Sequence, residues 1–299
     1  MPIMSKVRSS AKAAILGAAA LSFAQAAAAA GTCEGAELVE DGKLVVAYNG
    51  DMPGTGTKDG KLVGIDGEIM GIVAERLGLE ISPQLMEWAA EIESVKSRRV
   101  DIMHGMMGWT QPRTEVITMT DPIYYAGSLM TQRKGANITS FDQLKDLRVA
   151  TVQGFAQATE LAIIHPDVVL YETGDAAVRD LVSGRVDVIF LDPPMMQYLK
   201  IAQPELEIES IPVTEPFDPE LAVITGKFMV VFGMSKEAPK LEKCINDIIA
   251  DLWANCENLK VAATYGFDDK FWFTPQEANP RPGVDRPQDW AYPALGACS

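Results

Sequence analysis

Apolar and polar positions alternate in two rhythms between residues 43 and 213. Short runs rich in Val, Ile and Leu are each followed by a stretch in which apolar residues return every three or four positions. The first run, KLVVA at 43–47, ends in the turn-rich segment Tyr48–Gly54, and Asp59-Gly60 predicts a hairpin turn. Ile69, Ile72, Val73 and Leu77 share one helical face, with Asp66 as the expected N-cap and Gly78 as the stop. LEISPQLMEW (79–88) predicts a second strand and 91–99 a short helix. Val100, Ile102 and Met103 then open a buried strand that runs into Gly105 and Gly108.

After a strand at 128–133 the rhythm begins again. A short helix opens at Ser140, and a strand at 147–152 ends in Gln153-Gly154-Phe155. A helix at 157–164, a strand at 168–171, a helix at 176–183 and a strand at 186–191 follow, the last ending in Asp192-Pro193-Pro194. Beyond lie a strand-like LEIESIPV (206–213), a loop at 214–219, apolar runs at 221–224 and 228–232, and a helical pattern from 239 to 265. Such alternation predicts an α/β architecture with largely parallel sheets. Ser97-Arg98-Arg99-Val100-Asp101-Ile102 also reappears as Ser183-Gly184-Arg185-Val186-Asp187-Val188, each copy between a short helix and an apolar strand. Two lobes of similar build are the expectation. Ligands of open α/β sheets bind beyond the carboxyl ends of strands, so the loops at 105–110 and 192–195 should face one cleft.

The ends of the chain read differently. Lys6, Arg8 and Lys12 precede an apolar run at 13–23 and an alanine-rich stretch at 24–30, the pattern of a secretory signal peptide. Its removal takes three positive charges from the formal −15, leaving −18. A chain this acidic is a poor partner for nucleic acid or anionic lipid, whose phosphates attract basic surfaces. All four cysteines (Cys33, Cys244, Cys256, Cys298) lie beyond the signal, and an exported chain favours disulfides, with three connectivities open. Cys244 and Cys256 on one straight helix would stand roughly 18 Å apart, so they can pair only across a turn, for which Asn255 is the natural place. With no CxxC and only His104 and His165 besides, no metal site is expected. The segment at 269–299 carries five prolines and little periodicity; an irregular tail is expected, held by Trp272, Trp290, Tyr292 and a disulfide at Cys298.

The candidate chemistry sits where the first-lobe strand ends. Glycines at 105 and 108 expose backbone N–H groups. Arg113 adds a planar fork of donors suited to a carboxylate, and Asp192 lies at the matching place in the second lobe. The arginine half-site suits a small anionic or zwitterionic molecule.

These residues resemble a known family, the extracytoplasmic solute-binding proteins of ABC importers, in the branch that carries polar amino acids. The resemblance rests on KLVVA, LVGIDGEIMGIVAERLG, VDIMHGMMGWTQPR, TDPIYYAG, FDQLKDLRVATVQG and GRVDVIFLDPPMMQYL, in the family's order from about residue 42 to 267. It implies a two-lobed periplasmic-binding-protein fold of type II, α/β with mostly parallel sheets. Hinge crossings are expected near 131–134 and 223–228. Lobe 1 is then 31–131 plus 228–268, lobe 2 is 132–227, and the tail is 269–299. It also implies that Arg113 pairs with the ligand carboxylate and Asp192 with its ammonium group. The chain departs from the family at Gly108, where Ser or Thr is usual, at Phe155-Ala156 after Gly154, and at Met52-Pro53-Gly54, where aromatic residues are usual. Hydroxyl donors are lost and apolar surface is gained, and Trp109 offers a face on which a ligand could stack. The expected ligand-binding set is Arg113, Asp192, Gly108, Trp109, Thr110, Tyr48, Gly154, Phe155 and Met107.

The function this implies is periplasmic capture of a carboxylate-bearing solute by a monomer, and its delivery to a membrane permease without a cofactor. A dehydratase-like enzyme on the same scaffold is the alternative, with Glu215, Asp51 or His104 as acid or base. An accessory or sensory binding protein is a third class.

Overall fold

The computed structural model describes residues 33–213, 215–276 and 278–297; the expected signal peptide and Cys298 lie outside them. Two five-stranded sheets organise the chain. In the first, Lys43–Tyr48 runs parallel to both Glu80–Leu85 and Ile102–His104. Gly233–Met234 then joins antiparallel, followed by Thr118–Met119. Pro83 is tolerated in Glu80–Leu85 because that strand is an edge. The second sheet repeats the plan: Val149–Val152 lies between Val169–Tyr171 and Val188–Leu191, both parallel to it, and Leu129–Arg133 and Ile208–Pro212 complete it antiparallel.

Residue order explains the burial. In Val188–Leu191 alternate side chains enter different cores: Val188 and Phe190 pack with Val149, Met130 and Leu161, whereas Ile189 and Leu191 pack with Ala150, Val152 and Leu181. An unbroken apolar run is what a strand covered on both faces requires. The larger core of the first lobe gathers Leu44, Val46, Ile69, Val73, Ile102, Ile245 and Trp253.

The hexapeptide echo is an equivalent structure. Asp101 accepts from the backbone N–H of Val39 (2.7 Å) and Val45 (2.8 Å). Asp187 accepts from the backbone N–H of Arg148 (3.0 Å) and from its guanidinium. In each lobe the aspartate just before one parallel strand (Ile102–His104 or Val188–Leu191) fastens the beginning of its parallel neighbour (Lys43–Tyr48 or Val149–Val152). The preceding helices leave through the same turn, with Arg98 (φ 57°) and Gly184 (φ 75°) both left-handed.

The lobes meet at a two-stranded ribbon, Tyr124–Ala126 antiparallel to Phe228–Val230. The chain passes into the second sheet at Gly127-Ser128. The first crossing therefore comes earlier than the expected 131–134, whose residues 131–133 are already paired in the strand Leu129–Arg133; the segments on both sides of it are apolar and extended, so the hydrophobic pattern does not mark the step between sheets. The return passes through the helix Ala222–Thr225 and Gly226-Lys227, within the expected 223–228.

Two helices close the first lobe, Pro239–Ala254 and Glu257–Ala263, broken at Asn255 as expected. The break does not serve a Cys244–Cys256 bridge, because Cys244 is joined to Cys33. The tail is irregular and tied down by aromatic residues. Trp272 stacks on Phe267 (5.8 Å between centroids), Tyr292 meets Tyr125 edge-on (5.8 Å), and Arg281 lies over Trp290 (5.3 Å).

Candidate functional site

The strand Ile102–His104 ends at Gly105, and the chain then doubles back along the ribbon. Met107 O accepts from Val231 N–H (2.9 Å), and Trp109 N–H donates to Met229 O (2.8 Å). This pairing delivers Arg113, in the short helix Gln111–Val116, to the mouth of the cleft. From the second lobe the strand Val188–Leu191 ends at Asp192, the N-cap residue of the helix Pro193–Ala202. Between them lies a cavity lined by Trp88, Gly105, Met106, Gly108, Arg113, Phe155, Ala156, Gln157, Asp192 and Phe228.

Of the expected set, Arg113, Asp192, Gly108 and Phe155 line this cavity, and Gly154 contributes its carbonyl to Arg113. Tyr48, Met107, Trp109 and Thr110 do not line it. Tyr48 and Met107 are core residues, facing inward from a strand and from the ribbon-paired segment. Thr110 is the N-cap residue of the Arg113 helix. Trp109 is turned away, its indole N–H donating to Asp285 of the tail (3.0 Å). The aromatic residues at the cavity are Trp88, Phe155 and Phe228 instead. Trp88 stands just beyond the strand Glu80–Leu85, the place the strand-end rule favours, and its position there is the sequence signal for it.

Arg113 donates to Gly108 O within its own lobe and to Gly154 O across the cleft (2.8 Å). Its guanidinium lies 5.5 Å from the centre of the Trp88 ring, a cation–π arrangement. Trp88 Nε1 also donates to Gly154 O (3.2 Å). Gly154 must be glycine: its φ is +83°, and an added Cβ would stand 2.7 Å from Trp88 Cδ1. Gly108 has its own reason, because a Cβ there would meet Phe228 Cδ2 at 3.1 Å and Ala156 Cβ at 3.3 Å. The missing hydroxyl at 108, the alanine at 156 and the ring at 228 are one packing solution.

Asp192 is buried and accepts from Gln157 Nε2. Burial pushes its pKa up to about 7, against the Gln157 hydrogen bond; Asp66 pushes the same way and Arg113 opposes. Burial lowers Arg113 to about 10, with Asp192 opposing, so the cation persists at neutral pH. Among the described residues no ion pair joins the two. Behind Met106, the fully buried Asp66 accepts from Met106 N–H (2.6 Å) and Tyr124 Oη–H (2.7 Å). It does not cap its helix, whose N-cap position is Gly64. It holds Met106 in the left-handed region (φ 57°), a strained conformation for a side-chain-bearing residue. Burial raises Asp66 to about 6.

The cavity holds only ≈ 10 Å³, about the room for one water, so a ligand can enter only as the lobes part. A larger cavity of ≈ 370 Å³ opens beside it between Asp51, Asp175, Met195 and Tyr198.

Residues 44–268 match the bacterial extracellular solute-binding proteins, family 3. The chain belongs to that family. A probable amino-acid-binding protein of Bacillus subtilis, YxeM, is 26% identical over 217 residues, covering 71% of this chain and 79% of the relative. The histidine-binding periplasmic protein of Escherichia coli K12 is 27% identical over 221 residues, covering 69% and 80%. Among solved structures, the amino acid substrate-binding protein AbpA of Streptococcus pneumoniae, bound to L-arginine, superposes with a TM-score of 0.67 at 24% identity over 75% of this chain and 94% of its own. This solute-binding protein therefore has the two-lobed type II fold. Its tail, beyond residue 268, is outside the family match.

Proposed function

We propose that this solute-binding protein captures a small carboxylate-bearing zwitterion, an amino acid or a close analogue, and hands it as a monomer to the permease of an ABC importer. The observation that carries this reading is the placement of Arg113 and Asp192 on opposite lobes of one cavity, unpaired with each other. A ligand that gives its carboxylate to the guanidinium and its ammonium to the carboxylate bridges the lobes only when they close. Its binding energy then shifts the hinge toward the closed form. Relatives named for amino acid or histidine binding support that ligand class. The rings of Trp88, Phe155 and Phe228 and the side chain of Met106 favour a bulky apolar or aromatic portion.

Binding without turnover fits the residues that an enzyme would use. Glu215 accepts from Phe141 N–H (2.8 Å) at the start of a short helix of the second lobe. His104 is sealed in the first core, where burial lowers its pKa to about 3. Asp51 lines the adjoining cavity and is engaged by Asn49. The protein acts outside the cytoplasm, as its family does.

A thermal-shift screen of amino acids, betaines and aromatic acids tests the proposal, since a ligand that binds only the folded state raises Tm. The expected result is stabilisation by a compound carrying both a carboxylate and an ammonium group. Stabilisation only by compounds lacking a carboxylate would overturn the role given to Arg113.

A further inference from the structure

The tail carries a buried charge that the family match does not include. Arg281 is fully buried, and its Nη1 donates to Thr120 O (2.7 Å). Its Nη2 donates to Met119 O (2.9 Å) and to Asp285 Oδ2 (2.6 Å), and its Nε to Asp285 Oδ1 (3.1 Å). The neighbouring Arg286 reaches Asp121 (2.9 Å) and Met119 O (2.7 Å). These bonds lock Asp285 against the first lobe, and its Oδ2 accepts the indole N–H of Trp109 at 3.0 Å.

Trp109 stands in the segment that carries the ligand-facing cation. Its neighbour Gly108 lines the cavity and offers its carbonyl to Arg113. The main chain of Trp109 is tied to the ribbon at Met229, so the segment has two anchors, one on the hinge and one on the tail. The indole is buried, and a buried N–H without an acceptor is costly. The acceptor therefore selects the side-chain orientation, and with it the path of the backbone toward Arg113.

We propose that Asp285, held by Arg281, is a positioning residue of the ligand site: acting through the Trp109 indole, it fixes the Gly108–Arg113 turn and the aim of the Arg113 guanidinium. The tail is thus part of the binding machinery without touching ligand. The effect on affinity rests on the reading of Arg113 given above; the effect on the turn does not.

The test combines amide hydrogen exchange of the ligand-free protein with calorimetry, using L-histidine and L-arginine as probes. The variants are Asp285→Ala, Trp109→Phe, their combination, and Asp285→Asn, which keeps an oxygen acceptor. Asp285→Ala and Trp109→Phe should each speed exchange across residues 108–113 and weaken probe binding by roughly 5- to 30-fold. In the double variant the affinity losses should not multiply, because both remove one contact. Asp285→Asn should keep the slow exchange of the turn even though Tm falls with its lost charge. A tail that only adds stability would lower Tm while leaving exchange at 108–113 and the affinity unchanged, and that result overturns the proposal. So do losses that multiply. If neither probe binds the native protein but Asp285→Ala still loosens the turn, the site does not take histidine or arginine and the anchoring of the turn by Asp285 stands. The affinity comparison is then made with the zwitterion that the thermal-shift screen selects. Should Asp285→Ala not fold, Trp109→Phe and Asp285→Asn decide the question on the same readouts.

Discussion

Arg113 and Asp192 line one cavity with room for about one water, and their environments oppose their charges. Burial raises Asp192 to about 7 and lowers Arg113 to about 10. Asp51 and Asp66 are each raised to about 6, and Glu91 to about 9, chiefly by burial. A carboxyl group whose folded pKa exceeds its unfolded value holds more protons folded than unfolded. Stability must then fall as pH rises from the unfolded pKa, about 4, through the folded one. The ligand-free protein should accordingly melt at higher temperature near pH 5 than near pH 8. Asp187 works in the opposite sense. Hydrogen bonds from Arg148, more than any other cause, hold it well below the usual carboxylate range, so its contribution is fully present above its unfolded pKa of about 4 and is lost progressively as pH falls from there through the depressed folded value. Ligand affinity should move the other way from stability, because an ammonium group needs Asp192 ionised. Affinity should rise from pH 5 to pH 8, with proton uptake or release measurable by calorimetry in buffers of different ionisation enthalpy. A flat affinity profile would remove Asp192 from the site.

The strands and helices followed the apolar rhythm closely, because each strand buried on both faces reads as an unbroken run. The repeated hexapeptide turned out to encode one device used twice, a left-handed helix exit followed by an aspartate that ties two parallel strands together. Charge-assisted bonds of this kind contribute about 1.5–3 kcal/mol each. Asp101→Ala, which leaves the Val39 and Val45 N–H groups without their acceptor, should lower the urea unfolding midpoint by an amount equivalent to about 2 kcal/mol or more. A midpoint within error of the native protein would show that the aspartate is incidental. What the pattern could not convey was direction. The period places Trp109 next to Gly108 but does not say that its indole leaves the cleft for Asp285, well over a hundred residues away. Trp88 was legible only as the end of a strand, since the ring it presents to Arg113 depends on how the two lobes approach.

At the scale of the molecule, two similar α/β lobes meet at a narrow ribbon, and the tail reaches it from outside. Lys227 Nζ donates to Phe271 O (3.1 Å) and Thr274 O (2.9 Å), and Trp272 stands against Gly127. On the proposed function, hinge closure works at this ribbon, and Arg113 and Asp192 supply the charges that hold the ligand. The most direct test of that account is a calorimetric cycle. The best ligand from the thermal screen and its primary carboxamide are titrated into the native protein and into Arg113→Ala. The native protein should bind the carboxylate more tightly by about 2 kcal/mol or more, the order expected for one half of a desolvated charge pair. In Arg113→Ala that preference should disappear. If the variant keeps the full preference, the carboxylate is held elsewhere and the two-lobed clamp described here is wrong.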